Sequence, residues 1–188
     1  MSVLDSIRHW LRARRAKPDP WQRLPYAAKP EMFGRGNQHP FPWYFEGESA
    51  VVVRSVDDVC AWLRACEYVR DPELFNESDF WQHPRTFERL RQGDCEDYAL
   101  WAWRKLVELG LDAELVSGAQ RMSEDSGGHV WVRFRDGDAE FILETVCRDA
   151  GRMVRPFEDA KAEYVPHAGV DRTFTLHAYR GYLLSRLT

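Results

Sequence analysis

The sequence predicts an α+β domain in which a cysteine-bearing helix packs on an antiparallel sheet that carries a histidine and an acid. Three observations lead there. Apolar residues recur at helical spacing from Asp94 to about Leu109 (Leu100, Trp103, Leu106, Val107), with Ala99 and Ala102 adding helix propensity and Gly110 supplying a stop. Val130, Val132 and Phe134 alternate with Trp131, Arg133 and Arg135, as in a half-buried strand. Asp136-Gly137 then gives a two-residue turn signal, and Phe141 and Leu143 alternate with Glu140, Ile142 and Glu144 in a second strand.

Taken in order, residues 3–15 form an amphipathic helical pattern, with Val3, Leu4, Ile7, Trp10 and Leu11 on one side and Arg8, Arg12, Arg14 and Arg15 around it. Such a helix can dock on its own domain or a partner, or lie on a membrane surface. Asp5 and the short length favour docking over membrane contact by residues 1–15. From Lys17 to Pro42, Pro18, Pro20, Pro25, Pro30, Pro40 and Pro42 prevent regular structure, while Trp21, Tyr26, Phe33, Phe41, Trp43, Tyr44 and Phe45 are too many for a free linker. This predicts an arm that wraps the core and edges a groove. The division is therefore an arm over residues 1–50 and a single globular unit over residues 51–188.

Ser55-Val56-Asp57-Asp58 resembles a capping box that opens a helix to about Val69, with Val59, Leu63 and Cys66 inward and Cys60 in the core by default. Trp81-Gln82-His83-Pro84 reads as a packed turn with a helix starting after Pro84. After the 94–109 helix, Ala113 to Val116 is a short strand, and Ser117 to Gly128 is a polar loop whose glycines make it a candidate lid. Tyr164-Val165-Pro166 and Phe174-Thr175-Leu176 read as further strands, and Tyr179 to Leu187 as a closing helix. No internal repeat or low-complexity tract is present.

The chemistry centres on Cys95, within Gly93-Asp94-Cys95-Glu96-Asp97-Tyr98-Ala99. In the first turn of a helix, unpaired N–H groups and the helix dipole favour a thiolate, and the carboxylates of Asp94, Glu96 and Asp97 oppose it. The thiol needs an activating partner, and His129 is the candidate. With Asp136 and Gly137 as the loop, Arg135 faces Asp138, Arg133 faces Glu140, Trp131 faces Ile142 and His129 faces Glu144, all on one side of the sheet. Directly opposed residues have Cβ atoms roughly 4.5–5.5 Å apart, so Glu144 can reach one imidazole nitrogen and leave the other for Cys95. A nucleophile, a base and an orienting acid fit acyl transfer at an amide or ester carbonyl. Asp149 is the alternative acid. His167 and His177 sit in no motif and read as surface or structural residues.

Composition sets the outer bounds. The 188 residues are 44% hydrophobic and 30% charged, which suits one globular domain rather than a disordered chain. A net charge of −4 argues against a general nucleic-acid binder. Cys60, Cys66, Cys95 and Cys147 show neither metal-ligand spacing nor a disulfide framework, which fits a reducing compartment. No run of about eighteen apolar residues exists to span a membrane. Met1 to Arg15 lacks the apolar run of a signal peptide, so the expected location is the cytoplasm.

Phe80-Trp81-Gln82-His83-Pro84, Thr86-Phe87-Glu88, Gly93 to Ala99, Gly128-His129-Val130-Trp131-Val132 and Ile142-Leu143-Glu144 together resemble the bacterial transglutaminase-like cysteine proteinases, within the transglutaminase-like and papain-like superfamily. The resemblance covers roughly residues 75 to 146. It implies a papain-like or transglutaminase-like core with Cys95 as nucleophile, His129 as general base and acid, and Glu144 as third member. Gln82 is then the side-chain donor to the oxyanion, beside the Cys95 backbone N–H. In that family the third position is usually Asp or Asn, and Glu144 is one methylene longer. Periplasmic members that cleave adhesins use carboxylates flanking the nucleophile to bind calcium, and Asp94, Glu96 and Asp97 stand at similar positions. Three carboxylates make a partial site, since calcium takes six to eight oxygens, so the expectation is no cofactor. The plainer reading has Asp94 and Glu96 capping the helix and Asp97 solvated or paired with an arginine such as Arg91.

The expected activity is hydrolysis of a peptide or side-chain amide in a protein or peptide substrate. Transglutamination or deamidation would use the same acyl-enzyme. A catalytically silent binding module and a regulator that works through the basic N-terminus are the readings from other classes.

Overall fold

The computed structural model describes residues 18–121 and 128–186. The amphipathic pattern over residues 3–15 and residues 122–127 of the polar stretch before His129 lie outside the described residues, while Ser117 to Gln120, expected in that loop, belong to a strand.

Helix α1 spans Val56–Arg64, and the Ser55 hydroxyl caps it by accepting the Asp58 N–H at 3.1 Å. It ends at Arg64 rather than near Val69 because Glu67–Tyr68 (β1) leaves the helix to pair in parallel with Gln92–Gly93 (β2). The Glu67 N–H donates to the Arg91 carbonyl at 2.8 Å and the Val69 N–H to that of Gly93 at 2.9 Å. Between them lie α2 (Asp71–Leu74) and α3 (Pro84–Leu90), the latter with Pro84 at its first position, where a missing N–H costs nothing. Helix α4 runs Cys95–Glu108 with Asp94 as its N-cap. Its start and end match the sequence pattern.

The sheet contains β3 (Asp112–Gln120), β4 (His129–Asp136), β5 (Ala139–Leu143), β6 (Val154–Pro156), β7 (Tyr164–Asp171) and β8 (Leu176–Ala178). Its order is β6-β5-β4-β3-β7-β8, every pair antiparallel. β3 is longer than the expected Ala113–Val116 because it is central, with β4 on one side and β7 on the other. Phe174 falls in a turn with φ of 63°, so the last strand begins only at Leu176. Short helices α5 (Ala150–Met153) and α6 (Phe157–Ala160) flank β6, and α7 (Arg180–Leu184) replaces the longer closing helix read from the sequence.

Alternation along the strands divides the interior in two. Leu115, Val130, Val132, Phe134 and Leu143 face α4, where Leu100, Trp101, Trp103 and Leu106 are fully buried. Val116, Trp131, Ile142 and Tyr164 face the other way and are covered by Trp21, Phe157 and Tyr179. Trp21 brings the proline-rich segment onto this second face, stacking edge-on to Trp131 and Phe157 at 6.1 and 4.8 Å. Residues 41–47 are fastened to the first face by Arg104, whose buried guanidinium donates to the carbonyls of Tyr44 and Glu46 at 3.3 Å and to that of Gly47.

The β4–β5 hairpin corrects the expected register. Asp136 pairs with Ala139, Arg135 with Glu140 and Arg133 with Ile142, so the loop is Gly137-Asp138 rather than Asp136-Gly137. Gly137 has φ of 58° and Asp138 is not in the left-handed region, the pattern of a II′ turn with glycine at the first loop position. Moving the loop by one residue changes each partner by two. Two is the period of a strand, so every side chain keeps its face while direct opposition becomes diagonal.

Candidate active site

Cys95 is the first residue of α4, so its N–H is one of the four at the helix start with no intrahelical acceptor. The first turn is built tightly. Asp97, fully buried, accepts the Asp94 N–H at 3.3 Å, the Gln82 N–H at 2.9 Å and a Gln82 side-chain N–H. Gly93 is required beside this cluster, since a Cβ there would sit 2.3 Å from Asp97 Oδ2 and 2.6 Å from Gln82 Nε2. The expected pairing of Asp97 with Arg91 is replaced by these contacts; Arg91 instead lies over the Trp62 ring at 5.3 Å.

The Cys95 thiol is partly buried and donates to Glu96 Oε2 at 3.1 Å. The backbone N–H of Val130, one residue along β4 from His129, works the other way and favours the thiolate. Burial pushes the thiol well above its ordinary range, and the carboxylates of Glu96 and Asp94 push it further. Among the described residues, Sγ and the His129 imidazole share no hydrogen bond. The arrangement is that of a neutral thiol held by the carboxylate of Glu96.

His129 opens β4 and Glu144 follows β5. The strand pair ends at Val132↔Leu143, which leaves Glu144 level with Trp131 and diagonal to His129 rather than directly opposed. The glutamate is long enough to cross that diagonal. Its Oε2 and Oε1 lie 2.9 and 3.1 Å from His129 Nε2, and Nδ1 has no hydrogen-bond partner among the described residues. The Glu144 backbone is pinned by its N–H to the Met153 carbonyl at 2.8 Å, and Oε2 also accepts the Tyr164 hydroxyl at 2.9 Å. Asp149, the alternative acid, caps α5 by accepting the Gly151 N–H at 2.9 Å and is not brought to the histidine.

Gln82 is 1% exposed and lies at the start of the helix, but its two amide hydrogens are committed to the Gln92 carbonyl at 2.9 Å and to Asp97. As placed, it offers no free N–H to an oxyanion; its Oε1 is buried without a partner. Beyond it, Trp43 and Gly47 of the arm, with Phe80, Arg85 and Arg89, line a groove of about 640 Å³.

Carboxylates converge beside the thiol. Asp71, Asp94 and Asp97 place ligand oxygens within 4.8 Å of one another, as do Asp71, Asp79 and Glu96. Burial drives the Asp71 carboxyl up to about 6, with Asp94 adding to it, and raises Asp94, Glu96 and Asp97 as well. Asp71 Oδ1 and Asp94 Oδ1 are buried with no hydrogen-bond partner among the described residues. Buried, unpartnered oxygens in an all-carboxylate cluster fit a hard divalent cation such as calcium. Asp71 and Asp79 were not read as site residues. They stand 23 and 15 positions before Asp94 in the sequence, and tertiary packing brings them in, Asp71 from α2 and Asp79 from the loop that follows it.

The transglutaminase-like sequence profile matches residues 47–173. No curated protein matches the chain. Among solved structures it is similar to Legionella pneumophila LapG, with a TM-score of 0.48 and 19% identity over 69% of this chain and 71% of that one. The calcium-bound form of LapG gives 0.48 and 18% over 69% and 71%, and the EGTA-treated form 0.48 and 19% over 69% and 69%. Since the profile spans two-thirds of the sequence and includes Cys95, His129 and Glu144, the chain belongs to the bacterial transglutaminase-like cysteine proteinases.

Proposed function

We propose that the chain hydrolyses a peptide bond in a protein substrate, with Cys95, His129 and Glu144 as the catalytic unit. The observation that carries this reading is the doubly contacted Glu144–His129 pair on the strand whose next residue, Val130, turns its N–H to favour the Cys95 thiolate. Glu144 holds the proton on Nε2, so Nδ1 accepts the thiol proton. The thiolate attacks the carbonyl carbon and an S–C bond forms, while the carbonyl electron pair moves to oxygen and is stabilised by the Cys95 backbone N–H. As the C–N bond breaks, His129 returns the proton to the leaving amine. Nδ1 then takes a proton from water, hydroxide displaces sulfur from the thioester, and the thiol is restored.

Glu96 works against the first step, because its carboxylate accepts the thiol proton and disfavours the thiolate. Asp71, Asp79, Asp94, Glu96 and Asp97 would hold calcium. Bound there, calcium would supply positive charge that offsets the carboxylates which keep Cys95 protonated. In support of a protein substrate stands the family itself. The test is cleavage of a denatured-protein peptide library, read by mass spectrometry with calcium present. New termini absent in Cys95→Ala and His129→Ala support the reading; equal cleavage by Cys95→Ala overturns it.

A further inference from the structure

Glu144 Oε2 accepts two hydrogen bonds. His129 Nε2 lies 2.9 Å away and the Tyr164 hydroxyl 2.9 Å away. Tyr164 is the first residue of β7, 2% exposed, and its ring packs on Trp131 with centroids 4.8 Å apart. Trp131 in turn stacks with the imidazole, 26° from parallel at 5.9 Å. The tyrosine, the tryptophan and the histidine share one sheet face, and the carboxylate lies between the phenol and the imidazole.

A glutamate has one more rotatable bond than an aspartate, and here it reaches its histidine across a diagonal. Backbone anchoring at Met153 fixes where the side chain starts but not where the carboxylate points. A second contact at the carboxylate is needed to fix its rotation. We propose that Tyr164 is a positioning residue whose hydroxyl locks the Glu144 carboxylate, so that the carboxylate holds His129 in the Nε2–H tautomer and leaves Nδ1 as the acceptor for the thiol proton. This rests on the Cys95–His129–Glu144 reading above. Burial and the adjacent Glu144 charge push the phenol well above its ordinary value, so the hydroxyl remains a donor throughout the working pH range. The lock offsets the extra freedom of a glutamate at the third position of the catalytic unit.

Tyr164→Phe tests the proposal, because it removes the hydroxyl and keeps the ring against Trp131. The readout is the ¹⁵N spectrum of the histidine side chains at pH 8 in a Cys95→Ala background, with His129 assigned by its loss in His129→Gln. The parent should show a single Nε2–H tautomer and Tyr164→Phe a mixture of two. In the chain that retains Cys95, the alkylation rate of that cysteine by iodoacetamide should fall about three- to tenfold, the size of one positioning hydrogen bond. Phe157→Leu, which loosens the same face without touching the hydroxyl, should leave the tautomer single. The assignment is overturned if Tyr164→Phe keeps one tautomer, or if Phe157→Leu mixes the tautomers equally. Glu144→Gln separates the two levels of the argument. If it mixes the tautomers and Tyr164→Phe does not, only the role of Tyr164 falls; if it leaves His129 unchanged, the catalytic unit falls and the lock with it.

Discussion

The thiol of Cys95 donates its hydrogen bond to the carboxylate of Glu96, its own neighbour in the chain, at 3.1 Å. A thiol in this position is held neutral by the turn that carries it. The positive end of the helix dipole favours the thiolate, but burial and the Glu96 and Asp94 charges outweigh it.

Glu96→Gln removes one of those charges and keeps the side-chain shape. In calcium-free buffer at neutral pH, alkylation of Cys95 is expected to be several-fold faster in Glu96→Gln than in the parent, as read by mass spectrometry of the Cys95 peptide. An unchanged rate means that Glu96 does not set the thiol.

Length matters at position 144 because the contact is diagonal. Glu144→Asp keeps the charge and shortens the arm, and should lower peptide cleavage at least about tenfold, while Glu144→Ala should lower it about a hundredfold or more. Retention of full activity by Glu144→Asp would show that the carboxylate need not span the strand diagonal. The register that creates this diagonal was only half legible. Strand alternation put His129, Trp131 and Glu144 on one face, and that held whichever residue opened the turn. Direct opposition fails, because Asp-Gly and Gly-Asp both satisfy two-residue hairpins with a left-handed Gly137, and what distinguishes them is Asp136, which is not left-handed and pairs with Ala139.

Without a cation, the clustered carboxylates oppose folding. Asp71 titrates at about 6, above its ordinary value, so the folded state binds protons more tightly than the unfolded chain. Its contribution is most favourable below about pH 4 and is lost as pH rises through 6. In EGTA, Asp71→Asn should therefore raise the thermal midpoint at pH 7 relative to the parent. Calcium should raise the parent midpoint, by about 2.7 kcal/mol of stability at a hundred times the dissociation constant, and raise Asp71→Asn less. Equal responses would remove Asp71 from the site. The sequence exposed only Asp94, Glu96 and Asp97, since Asp71 and Asp79 join them through tertiary packing and carry no local spacing signal.

Asp171 shows the opposite dependence. Burial pushes its carboxyl up, but the Thr173 hydroxyl, His177 and the N–H groups of Thr173 and Thr175 outweigh that and set it at about 2. Its stabilising contribution is present above about pH 4 and is lost as pH falls through 2. The difference in midpoint between the parent and Asp171→Asn should be largest at pH 5 and shrink toward pH 2. A difference constant over that range contradicts the assignment. Neither turn residue nor histidine could be connected from sequence, where Phe174-Thr175-Leu176 reads as a strand and the left-handed Phe174 gives no warning.

Arg104 is the fastening of the arm, and its removal leaves the carbonyls of Tyr44, Glu46 and Gly47 without a donor. Arg104→Ala should cost about 2–3 kcal/mol, visible as a midpoint lower by about 5–10 °C. A smaller cost would mean that the aromatic contacts of Phe41 and Tyr44 hold the segment alone. Helical spacing identifies α4 and its apolar face, yet nothing in that spacing marks Arg104 and Lys105 as buried.

The central claim is that His129, oriented by Glu144, activates Cys95. The most direct measurement is the pH dependence of iodoacetamide alkylation at Cys95 with calcium present, comparing the parent with His129→Ala. The account predicts fast alkylation of the parent at pH 6–7, where a free thiol is almost unreactive, and a slow rate in His129→Ala that rises only near the ordinary thiol range of about 8.5. Superimposable profiles for the two proteins would contradict it.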